Sequence, residues 1–233
     1  MMIEHLKLYH YPASRSARVK WALHEVVGND FEVEKVALYD GALFTPEFLR
    51  INPSHNVPVL RIHWSDGSEQ HMLESAAIVA FLADAYPAWA LAPPPQASRE
   101  RADYVQMLHF GGTAMDMILW QIRIHEHVLA PAERDPRTVS RYRKKFAAEI
   151  EPQLVGRLER TPYICGDSFT AADCVVGHSV FWARGYGLCK DDVFRSYISR
   201  LAKRPGFAAA FADAREFTAE VTADKALVGK FTG

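Results

Sequence analysis

Two segments of this chain carry residue types that can hold a small peptide. Residues 52–60 read Asn52-Pro53-Ser54-His55-Asn56-Val57-Pro58-Val59-Leu60, and residues 73–78 read Leu73-Glu74-Ser75-Ala76-Ala77-Ile78. The first is an apolar strand entered through Val57-Pro58. Proline cannot donate to a sheet ladder, so Pro58 belongs at an edge or at a bend that presents backbone groups to a ligand. A cis bond, cheap only before proline, would tighten that bend. The second segment sets an acid and a hydroxyl at the start of an apolar periodic run. That is a helix N-terminus, where peptide N–H groups and the dipole attract anions. A bent strand beside a helix N-terminus suits a small peptide that carries carboxylates. Each segment alone also reads as a plain turn or a plain cap. Their order and spacing give them weight.

The elements that must position these residues can be read from periodicity. Leu6-Lys7-Leu8-Tyr9 alternates like a strand, and a polar turn, Pro12-Ala13-Ser14-Arg15-Ser16, follows it. Val19, Ala22, Leu23, Val26 and Val27 then recur at helical spacing until Gly28-Asn29. Phe31 to Val36 alternates again, which makes a βαβ unit. Thr45-Pro46-Glu47 reads as a helix start with proline at its first position. Val57 to Ile62 and Gln70 to Met72 flank Asp66-Gly67 and predict an antiparallel hairpin. Glu74 to Tyr86 predicts a helix with Ala77, Ile78, Phe81 and Leu82 on one face. Pro87 and Pro93-Pro94-Pro95 mark a stiff linker over 87–98. Beyond it, helical patterns run over about 99–127, 138–158, 171–186, 191–202 and 205–217. The expected architecture is α/β plus all-α, with an α/β domain over 1–86 and a helical domain over 99–233.

Composition narrows the function classes. The chain has 233 residues, 49% of them hydrophobic, and a net charge of −1, so it can bury a sizeable core. No basic block points to nucleic acid or an anionic membrane surface. No run approaches the ~20 apolar residues of a membrane span. Met1 to Lys7 lacks the apolar stretch of a signal peptide. Cys165, Cys174 and Cys189 follow no metal spacing and read as reduced thiols in a cytoplasmic protein. His125-Glu126-His127 lacks the spacing of a helical zinc site, so no metal is expected.

On these residues the chain resembles the glutathione S-transferase superfamily over nearly its full length. Asn52-Pro53 through Val57-Pro58-Val59-Leu60 is similar to that family's Asn-Pro-x-Gly-Lys-Val-Pro-x-Leu segment, and Glu74-Ser75-x-Ala77-Ile78 to its Glu-Ser-x-Ala-Ile segment. Thr170-Ala171-Ala172-Asp173 resembles its capping box in the helical domain. The resemblance implies a thioredoxin-like first domain followed by a helical bundle. It also implies glutathione as co-substrate, a hydrophobic electrophile as partner, and a homodimer. Val57 would pair through its backbone with the cysteinyl part, and Pro58 would be the family's cis-proline. Ser75 would bind the γ-glutamyl carboxylate and Glu74 its ammonium.

The family activates sulfur with a side chain near the end of the first strand. Ser14, four residues before Arg18-Val19, resembles the serine-type, theta-like arrangement. A hydroxyl there would donate to the thiolate, with Ser16 and Tyr11 as alternates. Its plainer role is an N-cap. The electrophile pocket would be lined from the first helix after the linker, by Tyr104, Met107, Leu108, Phe110, Met115 and Trp120, unless these are bundle core. Gly111-Gly112 in mid-helix marks a close approach of backbone or ligand. The chain departs from the family at His55, where glycine is common, at Asn56, where Lys or Gln contacts the glycyl carboxylate, and at Leu43. Arg15 is the alternative holder of that carboxylate. Two other readings stand: a zeta-like isomerase, whose Ser-Ser-Cys segment is absent from Ala13-Ser14-Arg15-Ser16, and a binding or regulatory protein without chemistry.

Overall fold

A computed structural model describes residues 2–218. Residues 219–233 of the expected helical region lie outside the described residues. The N-terminal part builds one four-stranded sheet from β1 (Ile3–His10), β2 (Glu32–Lys35), β3 (Val59–Trp64) and β4 (Glu69–Met72), in the order β2-β1-β3-β4. β1 pairs parallel with β2, joined by α1 (Ser16–Val26), and antiparallel with β3, which turns through the hairpin into β4. α2 (Pro46–Ile51) begins where Thr45 accepts the Phe48 amide, and α3 (Ser75–Ala85) follows β4 directly. This is the thioredoxin-like arrangement. β2 is an exposed edge, shorter than the Phe31–Val36 alternation suggests. Lys7 anchors it through Glu32 and Glu34.

The packing follows the sequence pattern. Leu6 and Leu8 of β1 and Leu60 and Ile62 of β3 meet Val19, Ala22, Leu23 and Val26 of α1 and Ile78, Val79 and Leu82 of α3. That cluster runs on into the helical part. Trp21 of α1 is fully buried between Phe169 and Phe207, so the two parts share one core. The proline-rich linker is pinned rather than free. Leu91 is buried and accepts the Ala171 amide (2.7 Å), while Arg101 clasps Asp84 and the Pro93 carbonyl.

The helical part comprises α4 (Arg99–Phe110), α5 (Asp116–Arg123), α6 (Pro136–Lys145), α7 (Glu151–Leu158), α8 (Ala171–Gly185), α9 (Asp192–Leu201) and α10 (Pro205–Ala210). The expected 99–127 helix is continuous but contains π-helical turns at Gly111–Met115 and Ile124–Val128. The first of these rests on glycine. A Cβ on Gly111 would meet Val175 and Val176 of α8 at 3.0 Å, and one on Gly112 would meet the Ala76 methyl of α3 at 2.9 Å. The double glycine is the seam between the sheet part and the bundle. α8 opens with the expected capping box. Fully buried Asp173 accepts from the Thr170 and Ile164 amides and from the Tyr197 hydroxyl. The helix expected over 205–217 stops at Ala210. The chain then turns and carries Asp213 in toward α1.

Candidate active site

A cleft of about 930 Å³ runs between the sheet part and the bundle. That volume lies near the top of the ~300–1,000 Å³ range of small-molecule sites. One wall is formed by the two segments that the sequence singles out. Ser54, His55, Asn56, Val57 and Pro58 line it, followed by Glu74 and Ser75 at the start of α3. The Val57-Pro58 peptide is cis. Asn52 holds the loop from behind. It is fully buried and donates to the Asn56 carbonyl (2.9 Å) and to the Asn56 side-chain oxygen (3.0 Å). The Asn56 amide nitrogen is therefore the group left to donate. His55 adopts φ 44° and stacks on Phe44, which accounts for a position where glycine is common.

Left-handed backbone concentrates at this cleft. Ala13, His55 and Glu74 (φ 51°, 44° and 69°) all line it, three of the five non-glycine residues with positive φ among the described residues. Such conformations cost about 1–3 kcal/mol each and persist where their surroundings over-determine them. For Ala13 those surroundings are visible. Arg18 Nε donates to His178 Nδ1 (3.1 Å), which fixes His178 Nε2–H as donor to the Ala13 carbonyl (3.3 Å).

The second wall is built around Arg18, a fully buried guanidinium. It donates to the Ser75 hydroxyl (3.1 Å), to Asp116 (2.8 Å) and to Ser179 (3.0 Å), besides His178. Burial alone would raise the Asp116 carboxyl, but the Arg18 and Arg15 guanidiniums override it and hold the pKa below the usual carboxylate range. Burial and the Arg18 charge push His178 down to about 3, so it stays neutral. Because Arg18 donates to Ser75 Oγ, the Ser75 proton is left for another acceptor, and Ser75 lines the cleft.

Ser14 lies at the turn between β1 and α1, partly buried on the cleft. Its hydroxyl donates to the Tyr11 carbonyl (2.8 Å) and lies 2.8 Å from the Ser16 hydroxyl. Ser16 is fully buried behind it, and Tyr11 packs in an apolar cluster next to Phe217. Neither alternate lines the cleft.

Two sequence expectations are corrected here. Arg15 does not face the glycyl end unengaged. It forms a forked pair with Asp116 (2.6–2.9 Å) and lies between the Trp120 and Trp182 rings, 5.0 and 5.4 Å from their centroids. Of the six expected pocket residues, Trp120 lines the cleft. Tyr104, Met107, Leu108 and Met115 are core, and Phe110 packs against that core. Those five pack inward, and the apolar wall comes instead from Phe181 and Trp182 of α8 with Phe44, Val128, Ile198 and Phe217.

Sequence reasoning passed over Arg18, Asp116 and His178. The available signal was an ionisable side chain inside an apolar run, Met115-Asp116-Met117-Ile118 and Val175 to Val180. Among the described residues no cluster of His, Cys, Asp and Glu could hold a metal ion.

Comparison with known proteins adds a lineage to this geometry. The family model "Glutathione S-transferase, N-terminal domain" matches residues 4–84. The chain is 33% identical over 171 residues to a zeta-class glutathione S-transferase of Euphorbia esula, covering 72% of this chain and 71% of that protein. It is 27% identical over 204 residues to the disulfide-bond oxidoreductase YfcG of Escherichia coli, covering 86% and 91%. Among solved structures, a sphingomonad glutathione S-transferase complexed with glutathione superposes with a TM-score of 0.71 at 26% identity, over 90% of this chain and 98% of that one. By descent and by fold, the chain belongs to the glutathione S-transferase family.

Proposed function

We propose that this protein binds glutathione in the cleft and adds its thiolate to a hydrophobic electrophile. The observation that carries the reading is one cleft lined by Ser14, by Val57-Pro58, by Glu74-Ser75 and by the Trp120, Phe181 and Trp182 rings. The backbone of Val57 would pair with the cysteinyl peptide. Ser75, its oxygen already accepting from Arg18, would donate its proton to the γ-glutamyl carboxylate. Exposed Glu74 would meet the ammonium. Asn56 would offer one amide donor to the glycyl carboxylate, a weaker hold than a cation. Ser14 would exchange its bond to the Tyr11 carbonyl for one to sulfur, at the N-terminal end of α1, where the dipole also favours thiolate. The aromatic wall would take the electrophile. Homodimerisation and a cytoplasmic location belong to the same reading, and three unpaired cysteines suit a reducing compartment.

Retention on immobilised glutathione, then turnover with a generic aryl halide, tests this reading. Binding with turnover that falls in Ser14→Ala supports it. Failure to bind glutathione removes it.

A second reading is favoured by the similarity to YfcG: glutathione-dependent disulfide reduction. No cysteine lines the cleft among the described residues, so glutathione would supply both thiols. One thiolate would attack the substrate disulfide, and a second would resolve the mixed disulfide, yielding reduced substrate and glutathione disulfide. Turnover of a small disulfide without turnover of the aryl halide would select this reading. An isomerase has the zeta-class relative in its favour and the missing Ser-Ser-Cys segment against it.

A further inference from the structure

Behind Ser14 the hydroxyls continue into a buried chain that the proposed transfer does not use. Ser14 Oγ is 2.8 Å from Ser16 Oγ, and Ser16 Oγ is 2.7 Å from His10 Nδ1. His10 Nε2 is 3.1 Å from Asp213 Oδ2, and Lys20 Nζ reaches the same oxygen at 2.6 Å. His10 is 1% exposed and Ser16 is 0% exposed, so no solvent intervenes. The Asp213 carboxylate can only accept, which fixes the proton of neutral His10 on Nε2 and leaves Nδ1 as an acceptor. Ser16, whose oxygen already accepts the Tyr11 amide (3.0 Å), has one proton and two acceptors in reach, the Tyr11 carbonyl at 3.0 Å and His10 Nδ1 at 2.7 Å, of which His10 is the nearer. Every link thus has an acceptor waiting on the side away from the cleft.

We infer that His10 is the proton acceptor for the thiol bound at Ser14, reached through the Ser14 and Ser16 hydroxyls and oriented by Asp213. The inference rests on the proposed glutathione reading. The thiol S–H gives its proton to Ser14 Oγ, Ser14 passes its own to Ser16 Oγ, and Ser16 passes its own to His10 Nδ1. No electrons leave the system. The products are a thiolate and an imidazolium, the latter paired with Asp213. After the shift each donor points toward the cleft: His10 Nδ1–H to Ser16, Ser16 to Ser14, and Ser14 to the thiolate. The sulfur anion then receives a hydrogen bond backed by a polarised chain. Reversal of the chain can deliver the proton to the adduct.

The charged groups around His10 set the balance. Burial, helped by the Lys20 and Lys35 charges and opposed by Asp213, brings its pKa down to about 4. Glu216 pairs with Lys35, and the second oxygen of Asp213 is buried with no partner among the described residues. The resting imidazole is therefore neutral, as an acceptor must be. The anion formed at Ser14 adds the term that favours imidazolium once substrate is bound.

The test uses the full chain with reduced glutathione and follows the ultraviolet absorbance of the bound thiolate against pH. His10→Gln keeps a contact to Asp213 but cannot take a proton, and Asp213→Asn removes the anion that stabilises the imidazolium. Both should raise the pKa of the bound thiol by at least about one unit, a tenfold loss of thiolate at a given pH, with the dissociation constant of the thiol form within about twofold of wild type. A thiol pKa unchanged in both variants, while Ser14→Ala raises it, overturns the relay and leaves the glutathione reading intact. A change in affinity alone marks His10 as structural and also overturns it. If wild type binds no glutathione, both readings fall together. Should His10→Gln fail to fold, Asp213→Asn, altered at a partly exposed carboxylate, decides the question.

Discussion

The two walls of the cleft are held in different ways. The edge proposed to anchor the peptide, residues 52–58 and 74–75, is built mainly from neighbours in sequence. Asn52 ties Asn56 four residues on, Pro58 shapes the strand entry, and Glu74-Ser75 opens its own helix. The wall proposed for the sulfur end is held by partners from across the chain. Arg18 meets Asp116 and His178, and His10 meets Asp213, separations of about 100 to 200 residues. The first wall is a local design that a short motif can specify. The second exists only once the bundle has packed onto the sheet. Mutations of the long-range partners at the sulfur end should therefore act globally, and those at the peptide edge should be confined to affinity.

The harshest challenge to that contrast is Arg18→Met. It leaves Asp116 buried with Arg15 as its remaining cation, and breaking a buried pair costs about 3–5 kcal/mol. Chemical denaturation should show a loss of that order together with weakened glutathione binding. A variant as stable as wild type would show that the sulfur end is as local as the other wall.

Acid should act on the same wall. His10 and His178 ionise near 4 and 3 in the folded state, against 6.5 when exposed. Between pH 6.5 and those values the unfolded chain binds more protons than the folded one, so stability falls as pH falls through this window. Denaturation midpoints should start to drop near pH 6.5, above the carboxylate range, and His10→Gln should flatten that drop. A midpoint flat down to pH 5 contradicts the neutral buried imidazoles.

Ser14→Ala is milder, because it removes one donor and leaves the scaffold. Losing a hydrogen bond to an anion costs about 1.5–3 kcal/mol, so turnover should drop by one to two orders of magnitude with little change in melting. Unchanged turnover, with Ser16→Ala inactive instead, would move the donor one hydroxyl inward.

The smallest effect belongs to the peptide edge. Asn56→Lys places an exposed cation where the glycyl carboxylate should lie, worth about 0–1 kcal/mol and at most about fivefold in affinity. The gain should shrink with added salt. Titrating glutathione at low and high salt checks this, and no gain at low salt would mean that another group already holds the carboxylate.

The same contrast explains what the sequence disclosed. Periodicity located the four strands and the main helices of the described residues, because Leu6, Leu8, Val19 and Leu23 face one core at the spacing their elements impose. Motif order singled out residues 52–58, 74–75 and Ser14, which the fold brings to one cleft. It did not disclose Arg18, Asp116 or His178, since their pairing depends on how α5 and α8 cross α1. It also misdirected the apolar wall. Tyr104, Met107 and Leu108 have the chemistry of a pocket, but the rotation of α4 against α8 turns them inward, and rotation is a property of packing that periodicity alone leaves undetermined. The 205–217 segment misled for a related reason. Its composition favours helix throughout, yet the tertiary bonds of Asp213 to Lys20 and His10 win over propensity.

The guanidinium of Arg15 lies between two indoles, and this gives the molecule a built-in optical reporter. Trp120 and Trp182 line the cleft, whereas Trp21 is fully enclosed and Trp89 is out in solvent. Replacing Trp21, Trp64 and Trp89 with phenylalanine would leave emission from the pair that borders the ligand. Any occupant that shifts Arg15 or dries the indole faces should change that emission. Occupancy could then be followed without a chromogenic substrate.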